Sequence, residues 1–583
     1  MEPIIDATSL MAIDVGSVST RAFLFDAVEG GYRLVALGIA PTTLAPPFRD
    51  ASAGVQLALD QLTETTGRIL AHADSGVITP TDKEGNGVDA VVVTLSAGEP
   101  LRAMAVGLLE DISLESAQNL LATTYSKVLG TIGMNDRRKM EARIDEVLKA
   151  RPDLIVIAGG TEGGASKSVS KLIESIGLAC YLLPDTQRPQ ILFVGNSEVA
   201  TEVQNDFAGI APVNIAPNVR PDLEGEQLAP AQNHLREMYR LIRAREHVPF
   251  MELSNWSSGR MMPATQGFAR IIRFFSKYYP STKGVLGIDL GAASTTIAAA
   301  FGGQLDHRVY PDLGLGTVLP ALLEYTTLGD IARWTRSSVS TSEIQAYIQY
   351  KTAYPASLPV TAQEMDIEQA LAREIMRAAM RASKARFPNS AARPGSNLLP
   401  WFEPIIASGS VLTNTPSRAH SLLMLLDGLE LTGITTVVLD QFNLVPALGA
   451  ASELNPLLAV QVMDSEALVN LAAVIVPVFH ARAGTPILRV RVTYESGDEK
   501  KLEINAGTLE KISLHPGEEV KLSLQPLNRA NIGMGRVGLG GGLKVKGGEL
   551  GIVIDARGRP LHLPTDASQR QELLAQWLKV LEN

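Results

Sequence analysis

The sequence predicts an α/β protein built from two related lobes, with a further α/β unit set into the first lobe and a β-rich end. Three observations predict it. A short apolar strand that ends in an acid and a small-residue turn occurs twice: residues 12–21 read AIDVGSVSTR and residues 287–296 read GIDLGAASTT. From about residue 140 the chain repeats strand–turn–helix units, the texture of an open parallel sheet. Beyond about residue 456 it turns to strand-length runs of alternating apolar and polar residues. The expected divisions are 1–139 for the first lobe, 140–250 for the inserted subdomain and 251–283 for a connector. The second lobe follows at 284–440, a crossing helix at 441–455, and a β-rich C-terminal domain with a terminal helix at 456–583.

The elements follow in order. Leu10–Asp14, Arg21–Asp26 and Tyr32–Ile39 read as three antiparallel strands, Pro41–Pro47 as a loop. Ala53–Leu70 carries a helical stripe through Val55, Leu59, Leu62 and Ile69. Asp74–Gly87 is a polar connection, and Ala90–Leu95 a β-branched buried strand. After the apolar stretch Leu101–Leu109, Ser113 caps a helix whose stripe runs through Ala117, Leu120, Leu121 and Val128. Leu154–Ala158, Ile191–Val194 and Val213–Ile215 are strands, each followed by a turn, two of them leading into helices. Pro230–Arg245 is a helix, and 250–280 a helix with a loop. In the second half, Asp366–Phe387 is a long helix, Ile405–Leu412 a strand and turn, Thr436–Leu439 a strand and Pro446–Leu454 a small-residue helix. Strands are expected at Val474–Phe479, Ile487–Tyr494, Lys501–Asn505, Glu519–Leu524 and Gly551–Asp555, with a helix over Ser568–Leu581.

Composition narrows the function classes. The 583 residues allow roughly three or four domains. A formal net charge of −10 leaves no footprint for generalised binding to nucleic acid or anionic membrane. Cys180 is the single cysteine, so neither an intrachain disulfide nor a thiolate metal cluster is expected. The N-terminal stretch lacks the pattern of a signal peptide. The apolar run from Leu468 to Phe479 is interrupted by Asn470 and Pro477 and is too short to span a bilayer. The expectation is a cytoplasmic protein; oligomeric state is not legible.

Both turns place an acid at a strand end, a glycine two residues on, and then hydroxyls, which brings backbone close to a phosphate. Downstream, IIASGSVL at 405–412 leads an apolar strand into a glycine turn, and PALGAAS at 446–452 opens a small-residue helix. These four pieces in this order resemble the actin-like ATPase superfamily. The resemblance implies a ribonuclease H-like two-lobe fold that binds ATP with Mg²⁺, one turn from each lobe addressing the phosphates. Asp14 and Asp289 are the catalytic candidates and hold the metal, mostly through water. Gly16, Ser17, Ser19, Thr20 and Arg21 contribute on one side; Gly291, Ala292, Ser294, Thr295 and Thr296 on the other. Ser408, Gly409 and Ser410 let the adenosine approach backbone, and Gly449 lets its helix pack closely.

PTTLAPPFRDASAGVQLAL, TLSAGEPLRAMAVGLL, DLIVIAGGTEGG, FVGNSEVATEV and APNVRPDLEGEQLAPA narrow the resemblance. Together with the phosphate turns they resemble the MutL/GlmL-type accessory proteins of glutamate mutase over residues 10–455. That resemblance implies a chaperone or reactivating factor whose partner is an adenosylcobalamin-dependent mutase. Two departures bear on turnover. Thr296 stands where the family usually has Asp, and a hydroxyl brings no negative charge to the metal. Arg21 stands where Lys is frequent, and its planar fork differs from a point charge. Nucleotide binding is therefore better supported than hydrolysis. A nucleotide-binding scaffold or sensor, and a small-molecule kinase of the same superfamily, remain as alternatives.

Other motifs have plainer readings. GGTEGG at 159–164 is either an anion cradle at a helix start or a tight βα turn with Glu162 exposed. GLGGGLKVKGG at 538–548 lacks a Gly-Lys-Ser/Thr ending and reads as hairpin and bulge glycines. Arg557-Gly558-Arg559-Pro560 reads as a turn between the last strands, Asp136–Lys139 as a solvated helix start, and Cys180 as a core or surface-neutral thiol.

Overall fold

The structure, a computed structural model, describes residues 8–45, 48–72, 76–164 and 166–583. Parts of the expected Pro41–Pro47 loop and Asp74–Gly87 connection lie outside the described residues. The chain forms two compact units. One holds the described residues up to Leu24 with Ala36–Gly267, the other Phe25–Val35 with Phe268–Asn583.

The chain opens with β1 (Ser9–Val15), β2 (Ser19–Val28) and β3 (Gly31–Pro41). Their short links force antiparallel pairing. Helix α1 (Ala51–Thr66) is capped by Asp50, which accepts from Ser52 N, and stopped by Gly67 at φ 71°. The expected stripe therefore ends at Leu62; Ile69 lies past the cap and is exposed. A two-residue pair, β4 (Ala71–His72) and β5 (Gly76–Val77), precedes β6 (Ala90–Leu95).

A doubly wound sheet comes next. Its elements are β7 (Leu101–Gly107), α2 (Glu115–Leu121), β8 (Ser126–Gly133), α3 (Met140–Ala150), β9 (Leu154–Ala158), α4 (Ser166–Leu182), β10 (Gln190–Phe193), α5 (Ala200–Asp206) and β11 (Val213–Ile215). The order is β11-β10-β9-β7-β8, all pairs parallel. Apolar clusters cover both faces, one with Leu120, Leu154 and Leu192, the other with Ile155, Ile173 and Phe207, as a parallel sheet requires. This sheet begins at Leu101, not near residue 140, because β7 is one of its inner strands and β8 its edge. Val128 accordingly sits on β8 rather than on a helix stripe, and Ser113 Oγ accepts from Leu108 N (2.8 Å) and Leu109 N (3.0 Å), turning back onto the strand exit. The Asp136 segment is not a freely solvated helix start. Its carboxylate accepts from Arg138 Nε at 3.0 Å and Arg143 Nη2 at 2.9 Å.

Helices α6 (Leu228–Glu246) and α7 (Val248–Trp256) lead to β12 (Met261–Pro263) and α8 (Ala264–Ser276). The three-residue β12, unexpected from sequence, pairs parallel with β6 and completes the order β12-β6-β1-β2-β3.

The second half repeats this plan. β13 (Gly284–Leu290), β14 (Thr295–Phe301) and β15 (Gln304–Tyr310) are antiparallel. Helices α9 (Leu328–Ala332), α10 (Thr341–Ala353) and α11 (Ala362–Lys384) follow, α11 opening on a Thr361/Glu364 capping box. β16 (Phe402–Ser408) then pairs parallel with β13, and after α12 (Ser410–Thr413) and α13 (Arg418–Leu429), β17 (Gly433–Leu439) pairs parallel with β16. The order β15-β14-β13-β16-β17 mirrors β3-β2-β1-β6-β12 strand for strand. The doubly wound sheet occupies, in the first copy, the crossover that α12 and α13 fill in the second.

After α14 (Val445–Ala451) and α15 (Pro456–Met463) come β18 (Val469–Val476), β19 (Pro486–Tyr494), β20 (Glu499–Asn505), β21 (Leu509–Ile512), β22 (Glu519–Pro526), β23 (Gly541–Lys546), β24 (Ile552–Asp555) and α16 (Ala567–Glu582). These strands do not all belong to one separate sheet. β18, β24 and β21 extend the second lobe's sheet to eight strands, and β20-β19-β22-β23 form their own. GLGGGLKVKGG is largely the strand β23 itself, paired with β22.

Arg557 and Arg559, in the segment read as a turn, follow the last strand and are buried. Arg557 donates to Asp555 Oδ1 at 2.8 Å and Asp427 Oδ1 at 2.8 Å; Arg559 donates to Asp555 Oδ2 at 2.6 Å; Arg373 donates to Asp427 Oδ2 at 2.8 Å. The Arg557 guanidinium lies 4.6 Å from the Trp577 ring centroid. Burial pushes the Asp555 carboxyl up, but the two guanidiniums outweigh it and hold it below the usual carboxylate range. This network ties β24 and α16 to α11 and α13.

Candidate functional site: two Asp-Gly turns

Each turn is built in the same way. Gly16 N donates to Ser19 O at 3.0 Å, and Gly291 N donates to Ser294 O at 3.0 Å. A Cβ at Gly16 would lie 2.7 Å from Ser19 O, and one at Gly291 2.9 Å from Ser294 O. Neither glycine needs a left-handed φ; each is required because the turn closes over its α-carbon.

Register then sets the acids. Asp14 pairs with Thr94 of β6, and Thr94 Oγ1 donates to Asp14 Oδ1 at 2.7 Å. Arg21 Nη1 stands 3.6 Å from Asp14 Oδ2. Burial pushes the Asp14 carboxyl above its ordinary range, and the Arg21 guanidinium and the Thr94 hydroxyl offset this only in part. In the other lobe Asp289 pairs with Thr296 on one side and with Ser408 on the other, which sets the three side chains on one face of the sheet. Ser408 continues the row by donating to Asp440 Oδ2 at 2.7 Å.

The turn residues divide by burial. Ser17, Ser19, Ala292 and Ser294 are half-buried at the turns. Thr20 and Thr295, expected to face a ligand, are fully buried. The Thr20 hydroxyl pairs with Thr42 Oγ1 at 2.9 Å, and the Thr295 hydroxyl donates to Leu313 O at 2.7 Å. Both side chains point into the lobe. Thr296, the cross-strand neighbour of Asp289 in that row, is also buried.

The 408–410 turn is a packing device first. Gly409 has φ +127°, and a Cβ there would lie 2.3 Å from Leu290 O. Its N–H donates to Asn443 Oδ1 at 2.7 Å. Asp440 in turn accepts from Leu444 N at 2.7 Å and Val445 N at 2.8 Å, fixing the start of α14. Of the three residues expected at the adenosine, only Ser410 is exposed. GGTEGG behaves as a tight turn whose own carboxylate is engaged. Glu162 accepts from Asn218 Nδ2 at 2.8 Å and from the Ser197 hydroxyl.

Sequence reasoning missed the buttresses. Thr42 Oγ1 donates to Gly16 O at 2.7 Å, and Leu315 N donates to Gly291 O at 3.0 Å. A Cβ at Gly314 would lie 2.6 Å from Ala292 O. Gly314 and Gly316 in DLGLG were a readable signal of close approach. Thr94, a lone hydroxyl closing VVVTL, was another.

The family model described as MutL protein matches residues 10–467. The chain belongs to the MutL protein family. A MutL-family relative, Protein MutL of Clostridium tetanomorphum, is 23% identical over 384 residues, covering 62% of this chain and 76% of that one. Among solved structures, the ethanolamine utilization protein EutJ from Carboxydothermus hydrogenoformans is 10% identical, covers 76% of this chain and 89% of its own, and has a TM-score of 0.27. A diol dehydratase-reactivating factor in nucleotide-free form is 10% identical over 76% and 99%, with a TM-score of 0.30. The duplicated sheet order and the paired Asp-Gly turns make the fold of this MutL-family chain that of the actin-like ATPase superfamily. Among the described residues, no helix is long and apolar enough to cross a membrane, and no group of three or more His, Cys, Asp or Glu is placed to hold a metal.

Proposed function

We propose that this protein binds ATP with Mg²⁺ through its two Asp-Gly turns and serves as a reactivating chaperone of an adenosylcobalamin-dependent mutase. The observation that carries the nucleotide reading is the twice-built turn, the same closing bond at Gly16 and Gly291 beside an acid at a strand end. The turns fit the group. Each glycine lets its turn close tightly beside the acid, and one carboxylate per turn suits an ion that keeps most of its water. Asp14 and Asp289 would hold Mg²⁺, which supplies charge neutralisation at the phosphate oxygens. Ser17, Ser19 and Ser294 orient phosphate oxygens, while Arg21 holds the Asp14 carboxylate. Membership in the MutL family supports the accessory role.

A second reading is favoured by Thr296. Without a carboxylate there, the chain acts as a nucleotide-dependent scaffold with little turnover. One experiment separates the readings: thermal melting with ATP·Mg²⁺ and phosphate release, each with and without an inactivated adenosylcobalamin-dependent mutase and fresh cofactor. The chaperone reading expects a raised Tm and recovery of mutase activity that requires ATP. A raised Tm with phosphate release at background and no recovery selects the scaffold. No change of Tm with ATP refutes nucleotide binding.

A further inference from the structure

Helices α4 and α5 pack their inner faces against the doubly wound sheet through Ile173, Ile176, Cys180 and Val203. Their outer side is not finished in the same way. Leu178, Tyr181 and Leu182 are 42%, 62% and 55% exposed, an apolar patch on a helix that is otherwise half-buried. Between the helices runs a groove of about 490 Å³ lined by Ser170, Glu174, Gly177, Leu178 and Tyr181 of α4 and by Glu202 and Asp206 of α5.

Gly177 is the informative residue. Glycine in the middle of a helix is less stable than alanine. Close packing does not demand it, because a Cβ there would meet nothing nearer than Phe207 Cε1 at 4.0 Å. Its effect is to leave the groove floor open. The α4 residues that line the groove lie on one helix face, from Ser170 to Tyr181. Eleven residues of helix rise about 16 Å, the length of three turns of a partner helix.

The charge of the rim has one sign. Glu174, Glu202 and Asp206 stand there against a single base, Lys171. Burial and then the neighbouring Glu202 and Glu174 push the Asp206 carboxyl up, so the acids repel one another across the groove. A cationic partner relieves that repulsion.

We propose that the α4–α5 groove receives an amphipathic helix of a partner protein, with apolar side chains over Gly177 and lysine or arginine side chains against Glu174, Glu202 and Asp206. This is the helix-in-groove mode, and it does not depend on nucleotide binding.

The test uses the full chain and a fluorescent 14-residue peptide of leucine and lysine, with leucines at helical i, i+3, i+4 and i+7 spacing, read by anisotropy at physiological salt. Saturable binding is expected. Gly177→Leu, which fills the floor, is expected to weaken it at least tenfold, as are Tyr181→Ala and the Glu202→Lys, Asp206→Lys double variant. A peptide of the same composition with alternating leucines is expected to bind at least tenfold more weakly. Tyr181 is exposed, so Tyr181→Ala serves if Gly177→Leu melts early. Unchanged affinity in Tyr181→Ala and in the double-lysine variant overturns the proposal. So does equal binding of the alternating peptide. A self-associating chain in sedimentation, dispersed by Tyr181→Ala, would assign the groove to a second copy and overturn it as well.

Discussion

The β1–β2 and β13–β14 hairpins place an acid, a glycine and a closing Gly N–Ser O bond in the same positions, yet they treat the acid differently. Seven residues after Asp14 stands Arg21, its guanidinium 3.6 Å from the carboxylate. Seven residues after Asp289 stands Thr296, paired directly across the strands. The neighbouring parallel strand offers a hydroxyl in both cases, Thr94 or Ser408. Thr94 is aimed at its acid, whereas Ser408 donates to Asp440. One backbone plan thus carries two electrostatic settings: a buried acid with a cation beside it, and an acid in a row of neutral hydroxyls that ends in a second, fully buried acid.

The largest expected effect tests whether both settings serve one ligand. Asp14→Ala and Asp289→Ala should each abolish the Tm rise produced by ATP·Mg²⁺; a rise retained in either variant would remove that turn from the site. Next come the glycines. Gly16→Ala, Gly291→Ala and Gly314→Ala should each destabilise by about 1–3 kcal/mol in denaturant melts, because a Cβ forces backbone to move. Equal losses at Gly16 and Gly291 would confirm that the turns are equivalent.

The charge difference predicts a pH signature. The Asp14 carboxyl is raised in the fold chiefly by burial, and Arg21 opposes that rise. Arg21→Thr raises it further, so the charged form of Asp14 becomes more costly in the folded state than in the unfolded one. The variant should be less stable at neutral pH, and the deficit should shrink as pH falls through the raised carboxyl range and Asp14 is neutralised. Thr296→Val in the other hairpin should show no such pH dependence. The smallest effect concerns turnover. Thr296→Asp should raise ATP hydrolysis above background, and with ATP and Mg²⁺ absent it should lower Tm because two carboxylates then face each other across β13 and β14. No gain in phosphate release would mean that another acid does this work, Asp440 being the nearest by the row through Ser408.

A pH effect of opposite origin lies at α13. Burial, then Arg336, depresses His420 from 6.5 to about 4. The unfolded chain therefore takes up a proton that the folded chain refuses. Stability from this group is complete above about pH 6.5 and falls as pH drops toward 4. His420→Gln should flatten that limb of the Tm–pH curve.

By itself the sequence determined the duplicated turns, their acids and the parallel texture of the insertion. Each is a local pattern, a strand ending in Asp-x-Gly or an apolar run before a glycine turn, and needs no knowledge of distant partners. The tertiary structure alone decided which hydroxyls face outward. Thr20 and Thr295 look like Ser17 and Ser294 in a list of residues, but the first pair sits on strand positions that point inward. It also decided where sheets begin and end. β7 and β8 joined the insertion, and β18, β24 and β21 joined the second lobe, because strand partnership is set by register between segments far apart in sequence. The same holds for Arg557 and Arg559. A charged Arg-Gly-Arg-Pro reads only as a turn, and its burial is not legible until Asp427, 130 positions away, is placed beside it, since a buried charge is stable only where its counter-charge arrives by folding.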